Sequence, residues 1–246
     1  MDNAIYSAVT GMLNRARTLD ITGNNIANIN TTGYKQQDMT TSAFNEFVTY
    51  RISNGKKTEI GSLTHGCIAD SAYSLITQGT LDQTGRALDF AITGDGFFKV
   101  SDASGNEGLT RDGNFYVNAD GYLTASSGAF VMGKQGRINI GSADGISVSE
   151  QGEIMSDGKY MDILDIISPE DITALQKRQD GTYSYAGNDA GFGGKVIQGS
   201  LELSNVNIIS EMTSMIEASR AFQSCSQAVK IIDQMNQKTV NEIGRV

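Results

Sequence analysis

The residues best equipped for chemistry in this chain are few. Its single histidine, His65, stands in the tetrapeptide THGC with Cys67 two positions on. An imidazole and a thiolate at that spacing can give two ligands to a zinc ion, but no second pair stands at ligand spacing. A surface or linker histidine is the plainer reading. SDASGNEG (101–108) and NADG (118–121) have the look of calcium loops. Neither keeps the register that closes such a loop on a glutamate, and Asp-Gly and Ser-Gly turns account for both without an ion. GDGFF (94–98) lacks the Lys-Ser/Thr pair and the following helix of a phosphate loop, and there is no Gly-x-Ser-x-Gly element. A nucleophile triad would depend on His65, which the linker is poorly suited to hold. Among 28 acids some carboxylates must fall near one another, yet nothing singles out a pair for acid–base work. The residues thus single out no catalytic site, no cofactor and no metal.

The formal net charge is −9, which argues against nucleic acid, since phosphates call for a basic surface. That charge is concentrated in the middle. Residues 36–204 carry 22 acids and 12 bases, whereas 1–35 and 205–243 are nearly balanced. Near-neutral ends are the easier parts to bury against a partner. Cys67 and Cys225 lie in segments of different character and do not read as a disulfide framework. The first residues lack the basic region and apolar core of a signal peptide, and no apolar run approaches the ~20 residues of a membrane helix. The expected location is cytosolic, or extracytoplasmic by a route without a cleaved signal.

What could position the chain's apolar residues is clearest at its ends. Ile5, Val9, Met12, Ala16, Leu19, Gly23 and Ile26 recur at spacings of four and three, one face of a helix that Asp2 can cap. Gly11 and Gly23 each weaken it by about 1 kcal/mol relative to alanine. At the other end Ile208, Met215, Phe222, Val229, Asn236 and Ile243 fall seven apart, with Met212, Ala218, Cys225, Ile232 and Val240 between them. Asn207 can cap this second helix, and Gly244 stands where a C′ glycine belongs. Residues 205–243 as one helix would span roughly 58 Å. A stripe that long needs a partner stripe, and the N-terminal one is the obvious candidate. An ordinary helical hairpin buried on its own chain and a pair that packs on other copies have the same periodicity.

Between the ends lie 24 of the 28 glycines. FYVNADGYL (115–123) and EIMSDGKYM (153–161) each set two β-prone runs around an Asp-Gly turn, a strong hairpin signal. FAITGDGFFKV (90–100) reads as a third apolar pair around a glycine turn. Residues 36–85, rich in Ser, Thr, Gly and Asn with little periodicity, read as an extended linker with a short strand at Tyr73–Ile76. The fold expected is therefore α+β, with long terminal helices pairing as a coiled coil around a central all-β domain of short strands and hairpins. The expected organisation is 1–35, N-terminal helix and helix-end motif; 36–85, linker; 86–203, β-rich domain; and 204–246, C-terminal helix packing on 1–35.

NNIANINTTGYK (24–35) resembles the motif that ends the N-terminal helix of bacterial flagellar rod and hook proteins. LDFAITGDGFFKV (88–100) and LTRDGNFYVNADGYLTASSGAFVMG (109–133) are similar to the opening and the following hairpins of their β domain. QGSLELSNVNIISEMTSMIEASRAFQSCSQAVKIIDQMNQKTVNEI (198–243) resembles their C-terminal helix. Four motifs in the right order make the resemblance specific. It implies a structural subunit of the flagellar basal-body rod. Its terminal helices would pair as a coiled coil and stack on those of neighbours to line a tube. Export would be through the flagellar type III apparatus without a cleaved signal. The partners implied are copies of itself and other rod and hook proteins. The start MDNAIYSAVTGM is similar to the proximal rod protein, and the end, at DQMNQK (233–238), is closer to the distal one, which is favoured.

On this reading Ile5, Val9, Met12, Leu19 and Ile26 form the N-terminal packing face, and Met212, Met215, Phe222, Val229 and Ile232 the C-terminal one. Asn24, Asn25 and Asn28 would stop the helix and bond to backbone groups of neighbours, because asparagine competes with the backbone for hydrogen bonds. Gly33 would allow a tight turn, with Tyr34 and Lys35 beginning the crossing to the β domain. The competing class is a secreted β-rich binding module held as a small closed oligomer by its helices.

Overall fold

The computed structural model describes residues 2–43, 46–53, 56–64, 66–141 and 145–243. His65 and Gly244 lie outside them. Two compact units result: Met1–Ala27 with Gln37–Tyr73 and Asn207–Val246, and Asn28–Gln36 with Ser74–Val206.

The first unit contains helices α1 (Asp2–Ala27) and α2 (Ile208–Ile243). Asp2 is already helical, so it is not the residue before the first turn. Asn207 does cap α2: its Oδ1 accepts from the backbone N–H groups of Ile209 at 3.0 Å and Ser210 at 3.3 Å. The helices pack against each other. A Cβ built on Gly11 would lie 3.5 Å from Cys225 Sγ, and one on Gly23 would lie 3.9 Å from Met215 Cε. Rising numbers on α1 meet falling numbers on α2, so the pair is antiparallel. Along α2 the less exposed positions Glu211, Met215, Ala218, Phe222, Cys225, Val229, Ile232 and Asn236 alternate at four and three. Most are only half-buried, so each contributes less than the ~1.5–3 kcal/mol of a fully buried apolar side chain.

A second face of α1 packs on strand β1 (Gln37–Ala43), which is bonded to β4 (Cys67–Ser74). Arg17 Nη1 donates to Ala69 O at 3.1 Å, and Asn14 Nδ2 approaches Cys67 Sγ at 3.5 Å. Between them β2 (Glu46–Ser53) and β3 (Lys56–Thr64) form an antiparallel pair with a register shift at Thr49/Tyr50. The stretch read as a linker with a short strand at 73–76 is thus mostly strand. It escaped notice because it has almost no buried face: β1 shows no regular inside–outside alternation, and Val48, Tyr50 and Ile52 of β2 are all exposed.

Among its described residues the second unit is built of strands and loops, with one turn of 3-10 helix at Ile172–Ala174. Its strands include β5 (Leu81–Gln83), β6 (Phe90–Thr93), β7 (Phe97–Ser101), β8 (Glu107–Thr110), β9 (Phe115–Val117), β10 (Leu123–Ala125) and β11 (Phe130–Gly133). The two Asp-Gly hairpins form as read. Leu123 pairs with Val117 across Gly121, and Ser156 with Lys159 across Asp157 and Gly158, both at positive φ. FAITGDGFFKV is not a hairpin. β6 pairs with Lys195–Gln198, and β7 sits between β8 and β11 in the largest sheet. Consecutive residues of a strand face opposite sides. Phe98 accordingly enters the main core with Phe90, Phe115, Leu123, Val131 and Ile154, while Phe97 enters a smaller one with Leu109 and Tyr183. Among the described residues no helix is long and apolar enough to cross a membrane.

Candidate functional site

The helix-end motif is divided between the two units, and each part is a bonded site of its own. In the first unit Asn25 is 1 % exposed. Its Nδ2 donates to Gln37 O at 2.8 Å and to Glu211 Oε2 at 3.2 Å, and its Oδ1 accepts from Gln37 N at 2.9 Å. One carboxamide therefore imitates a strand partner for Gln37 and also holds the first turn of α2. Asn24 is exposed and Asn28 half-buried; Asn28 accepts from Thr31 through both its side chain and its carbonyl, closing a turn.

In the second unit Gly33 takes φ +67°, and its N–H donates to Glu202 O at 2.8 Å. A Cβ there would lie 2.3 Å from the backbone nitrogen of Asp112, so only glycine fits. Tyr34 is half-buried with Lys177 Nζ 4.1 Å from its ring centroid. Lys35 turns inward. Its ammonium donates to Glu202 Oε1 and to Thr77 O, each at 2.6 Å. Glu202 also accepts from Gly79 N at 2.8 Å and from Arg111 Nη1 at 3.1 Å. Arg111 completes the cluster by donating to Gly94 O at 2.8 Å and lying over Phe97. Burial pushes the Lys35 ammonium below its ordinary pKa, and its bond to Glu202 only partly offsets that.

Asn205 extends the stitching. Its Oδ1 accepts from Gln36 N at 2.7 Å, and its Nδ2 donates to Leu75 O at 2.8 Å and Thr77 Oγ1 at 2.7 Å. The segments by which the chain enters and leaves the β unit are thus tied to each other. Two cations and one carboxylate, all nearly sealed from solvent, are suited to fixing a conformation.

Of the residues singled out by sequence, Asn25, Gly33 and Lys35 are buried and bonded inside the chain. Ile5, Met12, Leu19, Ile26, Met215, Phe222, Val229 and Ile232 are half-buried in the helix pair, whereas Val9 and Met212 are exposed. Sequence reading missed Arg111, Glu202, Asn205 and Glu211. For Glu202 a signal exists: it stands between Leu201 and Leu203 in a strand, where a lone acid needs a partner. The suspected calcium loops use their oxygens on their own turns. Asp102 accepts from Asn106 N and Nδ2, which holds its carboxyl below the ordinary range, and Asn118 Oδ1 accepts from the N–H groups of Asp120 and Tyr122. No cluster of three or more potential metal ligands occurs among the described residues.

One unit built on two packed helices, and a second, β-rich unit locked by buried charge where the chain enters and leaves it, define a structural building block. Three family models match in order: flagella basal body rod protein over 5–35, flagellar hook protein FlgE/F/G D1 domain over 91–185, and flagellar basal body rod FlgEFG protein C-terminal over 197–242. The chain is 33 % identical over 252 residues to the flagellar basal-body rod protein FlgF of Caulobacter vibrioides, with both chains fully covered. It is 32 % identical over 268 residues to the rod protein FlgG of Bacillus subtilis, covering 98 % of this chain and 99 % of that one. A FlgG of Borreliella burgdorferi is 31 % identical over 257 residues, 96 % of each. The chain belongs to the flagellar basal-body rod protein family and has a structural role in the rod.

Proposed function

We propose that this protein polymerises through its terminal helices, paired as a coiled coil, into a helical tube that transmits torque from motor to hook. Its partners are further copies of itself and other rod and hook proteins. It reaches its place outside the cytoplasmic membrane through the flagellar type III export apparatus, and it performs no catalysis. The observation that carries this reading is that apolar side chains remain exposed along both helices of a chain whose full-length relatives are rod proteins. Contiguous exposed apolar patches mark surfaces that bind a partner. Contacts between unlike patches on successive copies do not close and so generate a filament. The half-buried stripe residues Ile5, Met12, Leu19, Ile26, Met215, Phe222, Val229 and Ile232, with exposed Val9 and Met212, form the assembling surface. Asn24, Asn28 and Tyr34 border it.

The finer placement is the distal part of the rod, supported by the resemblance of DQMNQK (233–238). A proximal placement is favoured instead by MDNAIYSAVTGM at the start. Electron microscopy of basal bodies from cells lacking this chain tests both. A rod that stops short at its outer end is expected for the distal type. A rod missing from its inner end indicates the proximal type, and complete rods with normal motility would overturn the assignment. A purified protein that forms only a closed dimer or trimer would favour the secreted binding module.

A further inference from the structure

Residues 195–206 close the β unit on its own beginning. Lys195–Gln198 pairs with β6 and Ser200–Glu202 with β5, both antiparallel. Among the described residues neither β5 nor β6 has another strand beside it. The same segment adds further bonds. Gly199 O accepts from the N–H groups of Thr84 at 2.9 Å and Gly85 at 3.0 Å, and Leu203 N–H donates to Thr80 O at 2.9 Å. Val196 and Leu201 arrive with this segment and are buried, as are Phe90 and Ile92 on β6.

The segment also supplies the charge that lets the chain's entry into the unit be buried. Glu202 is the one carboxylate paired with Lys35 or Arg111 among the described residues. Without it two cations would be enclosed uncompensated, which costs more than leaving them in water. Gly33 N–H and Gln36 N–H likewise find their acceptors at Glu202 O and Asn205 Oδ1. Residues 33–36 therefore lack their main anchors until 195–206 is in place.

These contacts are long-range. Thr93 meets Lys195 and Phe90 meets Gln198, 102 and 108 positions apart. The pairs among β7, β8, β9, β10 and β11 are six to 31 positions apart, from Val117 with Leu123 to Val100 with Val131. Closing a longer loop costs more entropy, so the local pairs form first. A chain delivered N-terminus first, from a ribosome or through an export channel, also brings 195–206 last among the residues of this unit. We propose that residues 195–206 are a closing strap. The sheet of β7 to β11 forms without it, and the strap then seats β5, β6 and residues 33–36 in one step, with Glu202 admitting both cations. The β unit thereby stays open until its last residues have been delivered. This goes beyond the rod reading and does not depend on it.

Pulse-labelled hydrogen exchange during refolding of the full chain, read by mass spectrometry of peptic fragments, tests this. Protection is expected first within 97–133, then together at 33–36, 81–83, 90–93 and 195–202 in a slower phase. Glu202→Gln should leave the first phase unchanged and slow the second by at least about tenfold. A variant that never completes the second phase still reports the first, so a failure to reach the final fold does not hide the result. Protection of 33–36 or 90–93 as early as 97–133, or a single phase for all segments, would overturn the strap. Glu202→Gln slowing both phases equally, or neither, would overturn it as well. None of these outcomes bears on whether the chain assembles into a rod.

Discussion

Lys35 and Glu202 stand 167 positions apart in sequence, and their charged atoms meet at 2.6 Å with side chains 0 % and 1 % exposed. Arg111 shares the same carboxylate, so the cluster carries one excess positive charge. Removing a partner from a buried pair is costly because the charge left behind is uncompensated. Glu202→Gln strands two cations and should destabilise the β unit by about 3–5 kcal/mol. Lys35→Met leaves Arg111 and Glu202 matched and should cost less, roughly 2 kcal/mol. Urea unfolding of the full chain measures both. A Lys35→Met variant at least as unstable as Glu202→Gln would refute the charge balance assigned to this cluster.

The same pair sets a pH dependence. The Lys35 ammonium has a folded-state pKa below the ordinary 10.5, chiefly through burial. Between the folded and ordinary values the unfolded chain binds more protons than the folded one, so this residue's contribution to stability rises with pH across that window. Glu202 and Arg111 are the charged groups that face it. The stability difference between the parent and Lys35→Met should therefore shift in the parent's favour as pH rises from neutral towards 10.5. A pH-independent difference, or one moving the other way, would show that the ammonium is not held at a cost.

Two kinds of glycine separate sharply in this chain. Gly11 and Gly23 lie within α1, where an added methyl would meet α2 at ordinary contact distances of 3.5 Å and 3.9 Å. Replacing each with alanine should stabilise the isolated protein by about 0.5–1 kcal/mol and raise its helical circular dichroism. Gly33 combines a positive φ with a methyl position inside the backbone of Arg111 and Asp112. Gly33→Ala should cost at least about 2 kcal/mol. Equal effects at the three positions would contradict the packing described.

Those contrasts also show what could be read in advance. The terminal helices were legible because their apolar residues keep a heptad spacing over several turns, and the two hairpins because Asp-Gly supplies the positive φ their turns need. The strands between 37 and 74 were hidden because polar side chains dominate both their faces. β6 and β7 were placed correctly but paired wrongly: an apolar run buried on both sides does not say whether its partner is the next strand or Lys195–Gln198. The burial of Lys35, which the sequence marks only as the beginning of the crossing to the β domain, is not legible locally, since a lysine is almost never fully buried and its partner lies far along the chain. Asn24 and Asn25 lie in the last turn of α1, and Asn28 follows it. What local sequence could not tell is that the buried one, Asn25, bonds to Gln37 and Glu211 of its own chain.

Asn25 is accordingly expected to act on the stability of the free protein. Asn25→Ala leaves the N–H and carbonyl of Gln37 without their side-chain partner and removes one donor from Glu211. The loss should be about 2–3 kcal/mol, seen in dilute protein by thermal or urea unfolding. An unchanged monomer with impaired assembly would instead give Asn25 the role of bonding to a neighbouring subunit.

Limited proteolysis of dilute protein distinguishes the two units. Free termini that order only on assembly would be trimmed quickly, which keeps a chain exportable and delays polymerisation. The sequence alone suggests a resistant core of roughly residues 70–200. The bonding pattern requires a core in two pieces, because Gly33 donates to Glu202 and Lys35 is sealed beside it, while the intervening strands from 37 to 73 are largely exposed. Cleavage within 37–73 should therefore leave a short peptide containing Gly33–Lys35 bound to the 74–206 fragment, visible by native mass spectrometry and released by denaturant. A core lacking that peptide, with unchanged stability, would mean that the buried ion cluster does not hold the crossing. Resistant ends with a digested middle would mean that the helix pair is already stable before assembly, and ordering coupled to assembly would then have to be abandoned.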